Sequence, residues 1–487
     1  MDKFGVLWTR YGGMARKLAD MVLTPKELRI TKHPEAIAAK LPGVSLLHDK
    51  LGISTVVYQR DQWHHLPPQL EALLPPAQRD NPQRVILSHL LARQQEIRGL
   101  PVVEQEWAML LFAGRNGIGH LEAFANDEQA THYYQNIQSL MTQAPQANIP
   151  NQSASALWAA FRRIAEQTAN DVDEIAEIIA TVGATPAISG FNPKLFVGLQ
   201  LAADVGNNAG QQGIGWDGEL ALHTGLPAIV KVESSRYPGL LALEALAYDV
   251  HRRAGLPCPR TWWREITVKG EEFPILAIER FDRDHQGHPL PVESVYSLLR
   301  TGAPRKFYAN TDGTMEDVWQ ALQFVSYTAQ QDRLNLYSRF ALALLTGNGD
   351  LHLENWSVLG MSNMAHLSPV YDPAPMRAYR AFRANHDLLS ALPFNGIGGT
   401  GGLPYANSSD IPPDLGNKLQ QFGQHLGLSR ARCRHRLAEL LDLSQDYPSQ
   451  AIALLESIPG NRRHPNAPDI QGFAKTLQAI RESLAKT

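Results

Sequence analysis

Residues 347–359 read GNGDLHLENWSVL and decide how the whole chain is read. Asp350, His352, Glu354 and Asn355 fall within six positions, between an apolar helical run and a short apolar strand. A carboxylate and a carboxamide five residues apart suit phosphoryl transfer. The first can orient an attacking hydroxyl, and the second can hold magnesium on the phosphates of ATP. A second acid on a neighbouring strand would complete such a metal site, and SPVYDPAP (368–375) supplies Asp372. The D-x4-N interval alone is weakly specific, so the rest of the chain has to support it.

Upstream, DRLNLYSRFALALL (332–345) has Leu334, Tyr337, Ala341, Leu344 and Leu345 on one helical face, and Gly347 stops the helix. VESVYSLLR and DVWQALQFVSYTAQ also read as helices. FPILAIERFDRD (273–284) is an apolar strand running into Glu279, Arg280, Phe281, Asp282 and Arg283. Such a segment suits a hinge whose backbone reads adenine and whose charges pair between lobes. LPAIVKVESS (226–235) is a buried strand containing Lys231, and the helix of about 238–254 offers Glu244. An ammonium inside an apolar strand needs a partner. Either Lys231 pairs with Glu244 and reaches phosphates, or it snorkels and Glu244 is solvated. In AISGFNPKLFVGLQLA (187–202), Ser189 and Gly190 precede a strand that begins near Lys194. The turn can wrap phosphates through backbone N–H groups, or it is a plain β-turn. The Gly-rich run 206–218 reads as a hairpin tip.

Farther out, LPGVSLLHD and GISTVVY read as short strands, and HLPPQLEALLPPAQRD as a helix. EWAMLLFAGRNGIGHLEAF reads as helix, Gly-rich turn, then strand. Residues 1–130 show no dense cluster of acids or histidines and read as a structural or partner-binding unit. Residues 131–180 turn polar and glutamine-rich, the pattern of a linker or insertion followed by an amphipathic helix at 155–179. The run 393–410 reads as a long surface loop, and 412–487 as amphipathic helices.

Composition sets the frame. The chain has 487 residues, 44% of them apolar and 19% charged, a globular balance that favours two or three packed units. A net charge of −3 gives no bulk attraction to nucleic acid. Two cysteines exclude a disulfide framework and suit a reducing compartment. The opening residues hold no apolar h-region, and no run nears 18 apolar residues, so a soluble cytoplasmic protein is expected.

Taken together, ISGFNPK, AIVKV, RRAGLPCP, ERFDR, GNGDLHLENWSV and SPVYDPAP resemble the HipA family of serine/threonine kinases, the toxin halves of bacterial toxin–antitoxin pairs. LPPQLEALLPP and NGIGHLEAF resemble that family's small N-terminal domain more loosely. The resemblance implies an α+β, bilobal protein-kinase-like fold of the PI3/4-kinase-like HipA type, with a β-rich N-lobe and an all-helical C-lobe. The implied divisions are an N-terminal subdomain at 1–130, a linker and helix at 131–180, an N-lobe at 181–285 and a C-lobe at 286–487. It implies Asp350 as catalytic base, Asn355 and Asp372 as magnesium ligands, and Lys231 on the ATP phosphates. Ser189, Gly190, Phe191, Asn192, Pro193 and Lys194 would form the phosphate-side loop, with Ser189 a candidate for autophosphorylation. Glu279, Arg280 and Phe281 would line adenine, and His352, Leu353, Glu354, Tyr371 and Asp372 would contact the nucleotide. The implied cofactors are ATP and Mg2+. The implied partners are a HipB-like helix-turn-helix antitoxin, through which DNA would be met indirectly, and a protein acceptor such as an aminoacyl-tRNA synthetase, with no membrane contact.

Two departures from the family pattern stand out. Glu354 occupies a position usually held by lysine, before the metal-binding asparagine. One unit charge at about 4 Å and an effective dielectric of about 20 is worth roughly 4 kcal/mol, so the reversal bears on the transferred phosphoryl. Ala187 replaces the first serine of an S-x-S-G loop and leaves Ser189. Two other readings remain at this point. GDLHLENW also resembles the loop of aminoglycoside and choline kinases, with Asn348 in place of a histidine. Glu354 would equally suit a nucleotide-binding pseudokinase that partners a DNA-bound repressor.

Overall fold

The computed structural model describes residues 2–75, 99–142, 194–199, 220–221, 225–268 except Ser235, 271–380, 389–394, 411–458 and 466–486, with isolated positions at 84–97 and Phe382. Three antiparallel sheets and a helical lobe make up the described chain. The first sheet has the order β4-β3-β2-β1-β5, from β1 (Lys3–Thr9), β2 (Arg16–Leu23), β3 (Glu27–Lys32), β4 (Thr55–Gln59) and β5 (Glu122–Phe124). Short helices α1 (Pro34–Ala38), α2 (Leu46–Lys50) and α3 (Pro68–Glu71) lie in its connections. Helix α4 (Val102–Ala113) closes the core, burying Trp107 and Leu110 with Leu7, Leu18 and Met21 of the sheet.

Three expectations change here. LPGVSLLHD is not a strand, because Ser45 caps α2 by accepting a bond from the Leu47 N–H. A short apolar run carries no period of its own, and the cap decides it. The proline-flanked helix shrinks to the single turn of α3. The polar stretch expected to be linker from 131 begins instead as helix α5 (Asp127–Thr142). Ala130, Tyr134 and Ile137 recur at intervals of three and four and are all buried, which is enough to dock it. The expected helix at 155–179, the phosphate-side loop 189–193, the hairpin tip 206–218 and all of the loop 393–410 but its first two residues lie outside the described residues.

The second sheet has the order β7-β6-β8-β10-β9, built from β6 (Lys194–Leu199), β7 (Leu220–Ala221), β8 (Leu226–Val232), β9 (Thr261–Val268) and β10 (Glu271–Glu279). Helix α6 (Leu240–Arg253) packs on β9 and β10. A third, small sheet, β11 (Val292–Ser294), β12 (Ser357–Leu359) and β13 (His366–Leu367), introduces the helical lobe. That lobe contains α7 (Val295–Gly302), α8 (Met315–Val325), α9 (Ala329–Thr346), α10 (Leu415–His425), α11 (Arg430–Leu443), α12 (Tyr447–Ser457) and α13 (Ile470–Ala485). The α+β, two-lobed architecture expected of the family is the one observed, although residues 286–487 are not all helical, since they carry the small sheet β11-β12-β13.

Helix α9 is the axis of the lobe, and its buried surface is wider than the one face read from the sequence. Every residue from Leu336 to Gly349 is buried. Its polar members therefore need partners. Ser338 accepts from the Arg436 Nε at 2.8 Å, and the Thr346 hydroxyl donates to the Leu342 carbonyl at 2.8 Å. Gly347 ends the helix in the left-handed region (φ 76), and the Asn348 N–H turns back to the Ala343 carbonyl. A Cβ at Gly347 would stand 2.6 Å from the Phe473 ring. Gly347→Ala should therefore destabilise the fold by roughly 2–4 kcal/mol, from left-handed strain and overpacking together. Gly302→Ala, whose Cβ would meet only ordinary contact at 3.6 Å, should change it by less than about 1 kcal/mol. Urea midpoints compare the two, and equal midpoints would contradict this account of the cap.

Candidate functional site

Four residues from four segments meet below the second sheet. Lys194 begins β6 and Lys231 lies directly opposite it on β8. Lys231 Nζ donates to Glu244 Oε1 of α6 at 2.5 Å and also to Asp372 Oδ1. Lys194 Nζ reaches the other oxygen, Asp372 Oδ2, at 3.2 Å. Both lysines and Glu244 are 5% exposed or less. The open choice over Lys231 thus resolves as a buried pair with Glu244. Burial pushes the Asp372 carboxyl up, but the ammoniums of Lys194 and Lys231 outweigh it and hold the group far below the usual carboxylate range. Burial draws the Lys194 ammonium down to about 8 despite its carboxylate partner.

Asp372 itself sits at φ 50, a conformation that costs a non-glycine residue on the order of 1–2 kcal/mol. Its N–H is held by the Tyr248 hydroxyl at 3.2 Å. The catalytic-loop stretch folds against it as a tight turn. The Asp350 N–H donates to Asn348 Oδ1 at 3.0 Å, the Asn355 carboxamide donates to the Asp350 carbonyl at 2.6 Å, and the Asn355 N–H donates to the His352 carbonyl at 2.9 Å. His352 is 7% exposed with Nε2 4.0 Å from Asp350 Oδ1, and Leu353 is a core side chain. These two residues build the loop.

Three positions that the sequence reading passed over hold this turn. Arg339 of α9 donates to the Asn355 carbonyl at 2.7 Å and stacks on Trp356 and Tyr371 at 4.6 and 5.1 Å. Asn310 Nδ2 donates to Glu354 Oε2 at 2.8 Å, and Ser357 shares a 2.6 Å hydroxyl bond with Tyr371. An arginine amid Leu336, Tyr337, Phe340 and Ala341 was the available signal, since a charge in an apolar helix implies a fixed acceptor.

A cavity of about 610 Å³ joins these groups. Lys194, Ile229, Lys231, Glu279 and Phe281 line its sheet side, and Glu354, Asn355, Tyr371 and Asp372 line the opposite side. Asp350, His352, Leu353 and Arg280 do not line it. The Arg280 guanidinium turns into the first sheet's loop instead, donating to the Gly117 carbonyl at 2.6 Å and to Asp282 at 2.7 and 2.9 Å. Asp282 also accepts from Arg283 and from the Gly119 N–H at 2.8 Å. A second buried acid, Glu293, accepts from Ser45, the Leu46 N–H, Gln69 and Ser297. These two carboxylates fasten residues 1–130 to the hinge and to β11. The same unit also contributes to the cavity wall and holds His65, Glu71 and Glu106 within 4.8 Å of one another. The sequence reading found no such cluster because its members are far apart in the chain.

The oxygen donors of Asn355 and Asp372 beside two ammoniums fit a hard divalent cation that carries phosphate oxygens, which is the chemistry of magnesium. Those four residues would hold Mg-ATP.

Burial pushes the Asp282 carboxyl up, but Arg280 and Arg283 prevail and bring it to about 2. A carboxyl lower in the folded than in the unfolded chain stabilises above about pH 4, and the contribution drains away as pH falls towards 2. Its loss should cost about 2–3 kcal/mol. Urea titrations from pH 5 to pH 2.5 on the native chain and on Asp282→Asn read this. The native slope should be steeper, and parallel slopes would remove the assignment.

The model of the HipA-like C-terminal domain matches residues 186–446, more than half of the chain. A protein of Haemophilus influenzae named "Putative kinase" is 26% identical over 256 residues, 50% of this chain and 68% of the relative. "Putative kinase Y4mE" of Sinorhizobium fredii is 27% identical over 243 residues, 48% of this chain and 53% of the relative. The chain thus matches between about half and two-thirds of these relatives' length. Among solved structures, the fold resembles a chain from the Shewanella oneidensis MR-1 toxin–antitoxin complex of HipA, HipB and operator DNA. The TM-score is 0.55 at 13% identity, over 99% of this chain and 96% of that one. At that identity the likeness concerns the fold.

Proposed function

The chain belongs to the HipA-like C-terminal domain family, and on that footing we propose that it is an ATP- and magnesium-dependent serine/threonine protein kinase of the HipA toxin type. The observation that carries this reading is the single cavity onto which Lys194, Lys231, Asn355 and Asp372 converge, with Lys231 held by Glu244. Phosphoryl transfer needs positioning and charge neutralisation more than covalent chemistry from the protein. Magnesium, when bound, supplies neutralisation of the phosphate oxygens. Lys194 and Lys231 supply two further cations from a rigid sheet. Glu279 is kept in place by a two-point pair with Arg260 at 2.9 Å, so its backbone and Phe281 offer a fixed wall for adenine. Asp350, five residues before Asn355, takes the role the family resemblance implies for it, orienting the acceptor hydroxyl and taking its proton. A HipB-like DNA-binding antitoxin is the proposed restraint, and the complex with HipB and operator DNA known for the Shewanella protein supports it. Among the described residues no helix is long and apolar enough to cross a membrane.

Glu354 favours a second reading. Its carboxylate lines the cavity next to Asn355, where a negative charge opposes phosphate, so the chain would bind nucleotide without transferring phosphate. Radiolabelled ATP with cell extract separates the two, a labelled protein band requiring transfer.

Asp350→Asn should keep Mg-ATP affinity within about twofold and abolish transfer, and phosphorylation at the native rate would remove Asp350 as base. Glu354→Lys reverses one charge beside the phosphates and should raise the transfer rate at least tenfold. An equal or slower rate would place the transferred group away from this carboxylate.

A further inference from the structure

Arg300 of α7 is a buried cation that forms no ion pair among the described residues. It is 8% exposed and lines the cavity beyond the nucleotide-facing residues. Its Nη1 donates to the Tyr296 hydroxyl and, at 3.1 Å, to the Tyr308 carbonyl. Its Nε is buried without a hydrogen-bond partner, and no acceptor faces Nη2 among the described residues. The Trp63 and Tyr296 rings lie 5.1 and 5.6 Å from the guanidinium, which offsets part of the desolvation cost but supplies no negative charge. Guanidinium groups this deep normally sit on carboxylate or phosphate.

The acids around the chamber are occupied or do not reach it. Glu106 is taken by His65, the Leu66 N–H and Arg84 at 2.8–3.0 Å. That makes the Glu106 end of the His65–Glu71–Glu106 cluster an ion pair with an arginine. Glu293 is fixed by four neutral donors and Glu354 by Asn310, and among the described residues neither pairs with Arg300. Glu71 faces the chamber, but it forms no ion pair with Arg300, and burial together with the neighbouring Glu106 pushes its carboxyl up to about 7 against the pull of Arg300 and His65, so it carries only part of a charge near neutral pH. The chain runs from Asn355 through Glu354 to Asn310, and Tyr308 lies two residues before that. This links the Arg300 chamber to the phosphate-side residues. Tyr308 is 60% exposed, so the chamber reaches the surface beside it.

We propose that Arg300 is the oxyanion-binding residue of a subsite beside the nucleotide cleft, and that it receives an acidic side chain of the phosphoacceptor. The acceptor half of this statement rests on the kinase reading above, and the guanidinium site does not. A carboxylate there would gain charge-assisted bonds from Nε and Nη2, in the two-point geometry arginine offers. Phosphate has the same chemistry, so the test includes it.

Calorimetric titration of the full chain with Mg-ATP analogue present uses three probes: inorganic phosphate, a serine peptide carrying two glutamates, and its glutamine counterpart. The native chain should bind the glutamate peptide at least tenfold more tightly than the glutamine one. Arg300→Gln should bring the two to within about twofold, and Arg300→Lys, which keeps charge but not the fork, should fall between. Thermal melts accompany both variants, and should Arg300→Gln fail to fold, Arg300→Lys carries the comparison. Equal affinities for the two peptides in the native chain, or a preference that survives in the variants, would overturn the proposal. Phosphate binding lost in the variants with no peptide preference would overturn the acceptor assignment and leave a free-phosphate site. No turnover is read, so a chain that binds the acidic peptide through Arg300 yet labels no protein keeps the subsite and loses the kinase reading.

Discussion

The Asp372 carboxylate is shared between two lysines that face each other on adjacent strands, and one of them also grips Glu244 on the helix above. Two cations against two anions in a buried setting come close to neutrality, and only as a set. Removing one member of such a group strands a charge, at a typical cost of about 3–5 kcal/mol. The arrangement therefore fixes the spacing between the second sheet, α6 and the helical lobe. It also explains how Asp372 tolerates a left-handed backbone. Tyr248 and two ammoniums over-determine its position, so local strain is absorbed by contacts from three elements.

Much of this centre was legible in the sequence, for a physical reason. Lys231 stood inside an apolar strand, Glu244 followed on the next helix, and the D-x4-N interval lay between a helix stop and a strand. Each is a local pattern whose chemistry demands a partner. Arg339 obeyed the same logic. What stayed illegible depended on docking between distant segments. Ser45, the cap that makes an apolar run a helix, is itself held by Glu293, 248 residues away, which accepts from its hydroxyl and from the next N–H. Tyr134 and Ile137 anchored a stretch whose composition looked solvated. His65, Glu71 and Glu106 became neighbours only once the first sheet had folded.

The charges of ERFDR divide their labour in a way the motif alone does not reveal. Glu279 and Phe281 remain with the cleft, whereas Arg280, Asp282 and Arg283 turn away to the Gly117–Gly119 turn. The strand ends at Glu279 and the chain turns at Phe281 and Asp282, so one short segment serves both the cavity and the attachment of the first sheet. Gly119 suits the attachment because its φ of 82 presents its N–H to Asp282, and a Cβ there would press on the Val292 backbone.

That attachment makes the first sheet a handle on the hinge. Asp282 lies one residue from Phe281, and Glu293 one residue from Val292 and Ser294, both of which line the cavity. The cavity wall and residues 1–130 therefore share the same two hydrogen-bonded carboxylates as anchors, and loosening either carboxylate would leave the wall beside it without its nearest fixed point.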